Sequence, residues 1–136
     1  MVKIVVDAYA WIEIFIGSEK GEKAREHIEK ASEVYTPDTV LAEIARKYLR
    51  EGADQRDAEE RLRMIVEVSN IAPIDVEVAL EAAKSYMKLS DEARKAGMKA
   101  PSLFDAIVLG TAKSLNAKIL TGDEHFKNLQ ETLWIR

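Results

Sequence analysis

The stretch Lys3-Ile4-Val5-Val6-Asp7 constrains the fold of this chain more than any other. Three adjacent β-branched apolar residues without polar alternation are typical of a strand buried on both faces, as in the middle of a parallel sheet. A helix-like segment, residues 8–16, follows at once, and a β-α-β unit begins in this way. Ligands of open α/β sheets bind at the carboxyl ends of the strands, so we expect Asp7 to stand where chemistry takes place.

The remainder of the chain alternates between predicted helices and short predicted strands. Helices are predicted at 18–32, at 38–50, from 54 onward, at 76–96 and at 103–115, and strands at 34–36, 70–74, 117–121 and 132–135. Right-handed crossovers between the strands predict a three-layer α/β/α sandwich around a small, mostly parallel central sheet. The 136 residues suffice for one domain with a real core but not for two, so residues 1–136 are expected to form a single domain.

Composition excludes several kinds of site. The chain has no cysteine, so neither a disulfide framework nor a thiolate metal site is expected. Its two histidines, His27 and His125, stand alone, which argues against a histidine-based zinc site, and His125 is expected to belong to a turn or to support a site. No glycine-rich phosphate loop and no nucleophile elbow is present.

Charge and hydropathy limit the kinds of partner that the chain is expected to have. The net charge of −4 does not favour nucleic-acid binding over the whole surface, so a polyanion would need a local basic patch or a metal ion. The apolar runs are too short to span a bilayer and the first residues lack a signal-peptide pattern, which predicts a cytoplasmic protein without a membrane partner.

Five acids stand out by position. Four of them follow predicted strands, where a helix cap or a turn is the commoner role of aspartate: Asp7, Asp38, Asp75 and Asp123. The fifth, Asp105, is the only acid between residues 93 and 122, and its apolar surroundings predict a partly buried carboxylate that needs a partner. The spacing from Ser102 to Asp105 also fits a capping box, which does not exclude metal binding. Without thiolates, oxygen ligands of this kind select hard ions such as Mg²⁺ or Mn²⁺, and the chemistry left open is metal-assisted attack of water, most naturally on a phosphodiester.

Four segments resemble the motifs of PIN-domain ribonucleases, in particular the VapC-type toxins of prokaryotic toxin–antitoxin pairs. They occur in the family's order over nearly the whole chain and read VVDAYAWIE at 5–13, LAEI at 41–44, SLFDAIV at 102–108 and ILTGDEHF at 119–126. The resemblance implies a metal-dependent endoribonuclease whose acidic quartet holds one or two Mg²⁺ or Mn²⁺ ions: Asp7, Glu43, Asp105 and Asp123. Helical periodicity alone does not select Glu43, which could pair with Lys47 or face water.

The resemblance also implies supporting residues and partners. The Thr121 hydroxyl would point at the metal or the scissile phosphate, with Ser102 beside the ligands, and Tyr9 stands where the family often has Ser or Thr. The implied partners are a structured RNA such as tRNA or ribosomal RNA, a cognate antitoxin and a second copy of the chain. Basic residues on the helix of Glu43 could meet the RNA backbone or simply form a solvated face: Arg46, Lys47 and Arg50.

Three other interpretations stay open at this point. An RNA-processing enzyme or an RNA-binding module could share the fold without a toxin role. A phosphorylatable receiver domain is disfavoured, because Asp7 has no acidic neighbour and Lys118 begins its predicted strand rather than ending it.

Overall fold

A five-stranded parallel sheet is the frame of the protein. The computed structural model describes residues 2–136. Its sheet has the order β3-β2-β1-β4-β5, and every neighbouring pair is parallel. The strands are β1 (Lys3–Val6), β2 (Glu33–Pro37), β3 (Asn70–Ala72), β4 (Lys118–Thr121) and β5 (Thr132–Trp134); the helices are α1 (Ala8–Ile16), α2 (Glu19–Lys30), α3 (Asp38–Arg50), α4 (Gln55–Val68), α5 (Val76–Lys95) and α6 (Leu103–Leu115), with a 3₁₀ turn at Glu124–Phe126. The predicted α/β fold with a parallel central sheet is confirmed.

Strand β1 lies in the middle of the sheet, as its composition predicts. Ile4, Val5 and Val6 are completely or almost completely buried. Val5 pairs with Tyr35 of β2 on one side and with Ile119 of β4 on the other. Because all the strands are parallel, the residues that follow β1, β2 and β4 meet at one edge of the sheet, which we call the carboxyl edge.

Capping residues fix most helix boundaries at their predicted positions. Helix α1 begins after its N-cap Asp7 and ends at Gly17, whose φ of 79° is the left-handed conformation that glycine adopts without strain. Helices α3 and α6 span the predicted residues, whereas β3 stops at Ala72, two residues early, because Pro73 has no N–H to continue the ladder.

Two close contacts fix neighbouring elements against one another. The Trp11 side chain of α1 is buried in the core, as predicted, and its indole Nε1 donates a 3.1 Å hydrogen bond to Thr36 Oγ1 of β2. Helices α5 and α6 approach so closely at Gly110 that a Cβ there would lie 2.6 Å from the Ala82 nitrogen. Within residues 2–136, no helix is both long enough and apolar enough to cross a membrane.

Candidate metal and active site

Asp7 is the buried centre of the carboxyl edge. Its side chain caps α1, with Oδ1 accepting from the Ala10 N–H at 3.0 Å. Oδ2 accepts a 2.6 Å hydrogen bond from the Thr121 hydroxyl. Only 4% of Asp7 is exposed, and this burial raises its pKa to about 8 against the opposing effect of the two hydrogen bonds; the negative charges of Asp123 and Glu43 add to the rise.

Thr121 ties the ends of two neighbouring strands together. It is the last residue of β4, which pairs with β1, and it is completely buried. While its hydroxyl donates to Asp7, the same oxygen accepts from the Asp123 backbone N–H at 2.9 Å. Asp7 and Asp123 therefore lie close together at the ends of neighbouring strands, with Thr121 as the link.

Asp105 reaches the carboxyl edge of the sheet from the first turn of α6. It forms the predicted capping box with Ser102: Asp105 Oδ2 accepts from the Ser102 N–H at 2.9 Å, and Ser102 Oγ accepts from the Asp105 N–H at 3.1 Å. The carboxyl group is half-buried, and burial raises its pKa; the hydrogen bond from Ser102 opposes this rise and the charge of Asp123 reinforces it. The cap fixes the rotamer of the carboxylate and leaves the group facing Asp123.

His125 lies beside the acids, in agreement with the expectation that it belongs to a turn or supports a site. Its Nδ1 lies 3.0 Å from Asp123 Oδ1 and 3.7 Å from Asp105 Oδ2, and its Nε2 lies 2.8 Å from the Lys99 carbonyl. Since a carbonyl only accepts, Nε2 carries a proton. Burial by itself lowers the pKa of His125, but the Lys99 carbonyl and the two carboxylates outweigh it, so the pKa is raised.

Glu43 reaches the same region from the second turn of α3. Burial raises its pKa to about 7, with a further rise from the charge of Asp105 and a compensating contribution from Arg46. The alternative of a surface pair with Lys47 is wrong, because Lys47 binds Glu51 at 2.7 Å instead. The structure thus brings together all four acids of the implied quartet, from four different elements.

Other predicted residues take different places. Asp75 caps α5 through a 2.8 Å bond from the Val78 N–H, and Asp38 accepts from Ile74 N–H at 3.4 Å. The Tyr9 hydroxyl meets Lys20 Nζ at 3.4 Å rather than an acid, and its ring packs on Gly122, where a Cβ would lie 2.3 Å from Tyr9 Cε1. Tyr9 therefore shapes the Thr121–Asp123 turn through its ring rather than through its hydroxyl.

A divalent cation fits this set of side chains. Ligand atoms of Asp105, Asp123 and His125 all lie within 4.8 Å of one another, and the carboxylate of Asp7 lies one hydrogen-bonded residue away. Burial raises the pKa values of Asp7, Glu43 and Asp105, and the charges of neighbouring carboxylates add to each rise, so a bound cation would stabilise the ionised forms. A set dominated by carboxylate oxygens suits a hard ion.

The parallel sheet and the acidic residues at its carboxyl edge are typical of α/β proteins that have a nuclease-type site. The PIN domain family model matches residues 4–131, so the chain belongs to the PIN domain family, and the receiver-domain interpretation is wrong. A comparison with curated proteins finds no match.

Several solved structures share the fold. A toxin–antitoxin complex from Klebsiella pneumoniae is 19% identical, with a TM-score of 0.69 over 98% of both chains. VapBC-1 from nontypeable Haemophilus influenzae is 16% identical, with a TM-score of 0.69 over 97% of this chain and 96% of that one. VapC20 from Mycobacterium tuberculosis, described as a sarcin-ricin loop cleaving toxin, is 17% identical, with a TM-score of 0.67 over 90% of this chain and 92% of that one. At these identities the similarity establishes the PIN-like fold.

Proposed function

We propose that this PIN domain is a metal-dependent endoribonuclease that hydrolyses RNA phosphodiester bonds in the cytoplasm. One observation carries the proposal: Asp7, Glu43, Asp105 and Asp123 come from four separate elements and converge at the carboxyl edge, with the pKa raised at three of them. Burying and crowding carboxylates is unfavourable without a counter-charge, so a fold that does so has a use for a cation.

Asp7, Asp105 and Asp123 are the proposed ligands of Mg²⁺, for which Mn²⁺ can substitute. When bound, the ion lowers the pKa of water and neutralises charge on the scissile phosphate. The chain's own residues hold the ligands in place: Thr121 and the Ala10 N–H orient Asp7, and the Ser102 cap orients Asp105. Glu43 either adds a ligand or orients the attacking water.

The basic residues of α3 are the proposed contacts to the RNA backbone. Arg46 lies 5.5 Å from the centroid of the Phe104 ring, which keeps it beside the acidic residues, and Arg50 is exposed. Lys47 is engaged by Glu51 in a partly exposed pair. Replacing Lys47 and Arg50 by alanine is expected to weaken RNA binding and to flatten its salt dependence. Unchanged binding in filter-retention assays over a salt series would contradict this role.

The toxin role and the cognate antitoxin rest on the solved neighbours. The Klebsiella structure is a toxin–antitoxin complex, the Haemophilus structure is of VapBC-1, and VapC20 is described as a sarcin-ricin loop cleaving toxin. By analogy we propose a structured RNA target, such as ribosomal RNA or tRNA, and an antitoxin that blocks cleavage. Expression of the wild-type chain alone is expected to stop bacterial growth, whereas Asp105→Asn is expected to be tolerated. Equal toxicity of both proteins would contradict the proposal.

The proposed homodimer uses the outer face of α5. Val76, Leu80 and Met87 follow one another at helical spacing, and they are 78%, 60% and 74% exposed, while Val78 and Leu89 on the opposite face are buried. Two acidic residues of α5 are followed by two basic ones within its first thirteen residues: Glu77, Glu81, Lys84, Lys88. Antiparallel pairing of two α5 helices about a twofold axis therefore places each Glu opposite a Lys of the partner.

Light scattering after size exclusion tests this dimer. Leu80→Asp is expected to give a monomer, whereas Val66→Asp, at an exposed apolar site of α4, is expected to leave the dimer intact. A wild-type protein that is monomeric, or a Leu80→Asp protein that stays dimeric, would contradict the assignment.

RNA cleavage tests the function itself. A labelled single-stranded or hairpin RNA is incubated with the wild type, Asp7→Asn and Asp105→Asn in Mg²⁺, Mn²⁺ and EDTA. Cleavage is expected in either metal, and its loss in EDTA and in both folded variants. Cleavage that persists in EDTA would overturn the metal dependence, and cleavage that persists in both variants would overturn the site.

A further inference from the structure

A row of alternating cationic and aromatic side chains borders the acidic residues. The guanidinium of Arg136 lies between two rings, 5.3 Å from the centroid of Tyr9 and 5.6 Å from that of Trp134. Lys127 Nζ lies 5.8 Å from the Trp134 centroid on that side, and Lys20 Nζ meets the Tyr9 hydroxyl at the other end. We call these five residues the cation–aromatic row.

The row is attached directly to the proposed active site. Arg136 Nε donates a 2.7 Å hydrogen bond to the carbonyl of Gly122, which lies between Thr121 and Asp123. The Tyr9 ring packs on the same glycine. The backbone N–H of Ile135 donates to the Thr121 carbonyl at 3.1 Å, so the segment carrying Trp134 and Arg136 is fixed alongside the end of β4. A ligand on the row would lie next to the acids.

Contacts within the protein occupy only some of the side chains of the cation–aromatic row. The bond to Gly122 gives Arg136 a role in holding the turn, and its other partner, Glu124 at 3.4 Å, forms an exposed pair of the kind that contributes little. Lys127 is exposed, and within residues 2–136 its side chain makes no hydrogen bond or ion pair. The Trp134 ring is only half-buried. Three cations and two rings thus remain accessible in a chain whose net charge is −4.

The chemistry of the row matches single-stranded nucleic acid. Unpaired bases can stack on the partly exposed rings once a cation that lies over a ring, such as the exposed Lys127, turns to a phosphate between the bases. Bases inside a duplex have no free face, so a paired strand gains only the electrostatic attraction between its phosphates and the cations. The acids beside the row repel a polyanion, and the cations offset that repulsion where the strand continues past the scissile phosphate.

We propose that the cation–aromatic row binds an unpaired stretch of the substrate RNA that flanks the cleaved bond, with bases on Tyr9 and Trp134 and phosphates on Lys127 and Arg136. This inference rests on the proposed nuclease function and adds to it the place on this chain where the substrate strand binds.

Binding of a labelled single-stranded RNA, followed by fluorescence anisotropy in EDTA at low salt, tests the row without cleavage. Trp134→Ala is expected to weaken binding roughly tenfold, as for the loss of one base stack. Lys127→Ala is expected to lower the slope of log affinity against log salt by about 0.7. The matched control is Arg61→Ala, which removes a cation lying 5.5 Å from the Phe15 ring outside the row, and it is expected to bind as the wild type does.

Several results would overturn the proposal. Wild-type affinity in both Trp134→Ala and Lys127→Ala, an equal loss in Arg61→Ala, or equal affinity for duplex RNA of the same sequence would each do so, as would a wild type that does not bind. Lys127→Ala keeps the test valid if changes at Arg136 or Trp134 unfold the protein, because its side chain bonds to nothing else in the described residues.

Cleavage kinetics separate failure of the row from failure of the proposed function. With Mn²⁺, Lys127→Ala is expected to raise KM and to leave kcat unchanged, since it removes binding remote from the reacting bond. An unchanged KM in an active enzyme would refute the row alone. If no protein cleaves RNA while the anisotropy pattern holds, the nuclease function fails and the binding site stands.

Discussion

Removing the buried carboxylate of Asp7 should make the metal-free protein more stable. The pKa of Asp7 is about 8 in the folded protein and 3.8 when exposed. Between these values the folded state keeps a proton that the unfolded state has released, so folding becomes less favourable by about 1.4 kcal/mol for each pH unit above 3.8. At pH 7 the cost reaches about 4 kcal/mol, at pH 5 about 2 kcal/mol, and below 3.8 it disappears.

Asp7→Asn removes this cost because an amide does not titrate. Asparagine caps helices as well as aspartate does, so the bond from the Ala10 N–H is retained. In the wild type the Thr121 hydroxyl donates to the Asp7 carboxylate, whereas in the variant the asparagine amide must donate to Thr121 Oγ1. This reversal of the hydrogen bond costs about 1 kcal/mol. We therefore expect the variant to be about 3 kcal/mol more stable than the wild type at pH 7 and about 1 kcal/mol more stable at pH 5.

Urea denaturation in EDTA at pH 5 and pH 7 measures both differences. Asp54→Asn, at the exposed cap of α4, is the matched control and is expected to leave stability nearly unchanged at both pH values. Added Mn²⁺ at a hundredfold excess over Kd is expected to remove most of the difference at pH 7, because it stabilises the wild type by about 3 kcal/mol and the variant much less. A variant no more stable than the wild type at pH 7, or a difference that does not change with pH, would refute the reasoning.

Three further perturbations test the packing and the ion. Gly110→Ala is expected to destabilise the protein by about 1–3 kcal/mol in thermal melting, because its Cβ would overlap the Ala82 backbone; an unchanged melting temperature would show that α5 and α6 can separate freely. Trp11→Phe is expected to cost about 1 kcal/mol in urea denaturation through the lost bond to Thr36, and a neutral substitution would mean that this bond contributes nothing. Mn²⁺ affinity by calorimetry is expected to fall from pH 8 to pH 6, because protons compete for Asp7, with its pKa of about 8; a flat profile would place the ion elsewhere.

Local signals in the sequence predicted much of the fold and part of the site. The buried run at β1 fixed the strand that carries Asp7, and the capping residues gave the start of α1 and of α6. The isolation of Asp105 among apolar residues correctly indicated a partly buried carboxylate. Each of these features depends on neighbours within one helical turn or one strand, and such patterns can be recognised without knowing the tertiary contacts.

Non-local contacts account for what was missed. Glu43 lies off the apolar stripe of α3, and its half-buried position arises from the approach of other elements at the carboxyl edge. His125 is placed by a bond to Lys99, and Arg136 packs on Tyr9 from the far end of the chain. The short spacing from Asp123 to His125 was the one local hint, and the other contacts leave no periodic pattern in the sequence.

Anomalous diffraction from crystals grown with Mn²⁺ would locate the ion without reference to activity. We expect a peak coordinated by carboxylate oxygens of Asp7, Asp105 and Asp123 at about 2 Å, the bond length for a hard octahedral ion, and no such peak in Asp105→Asn crystals grown in the same way. A manganese peak away from the carboxyl edge, or none at a saturating concentration, would contradict the assignment of a metal-dependent nuclease site.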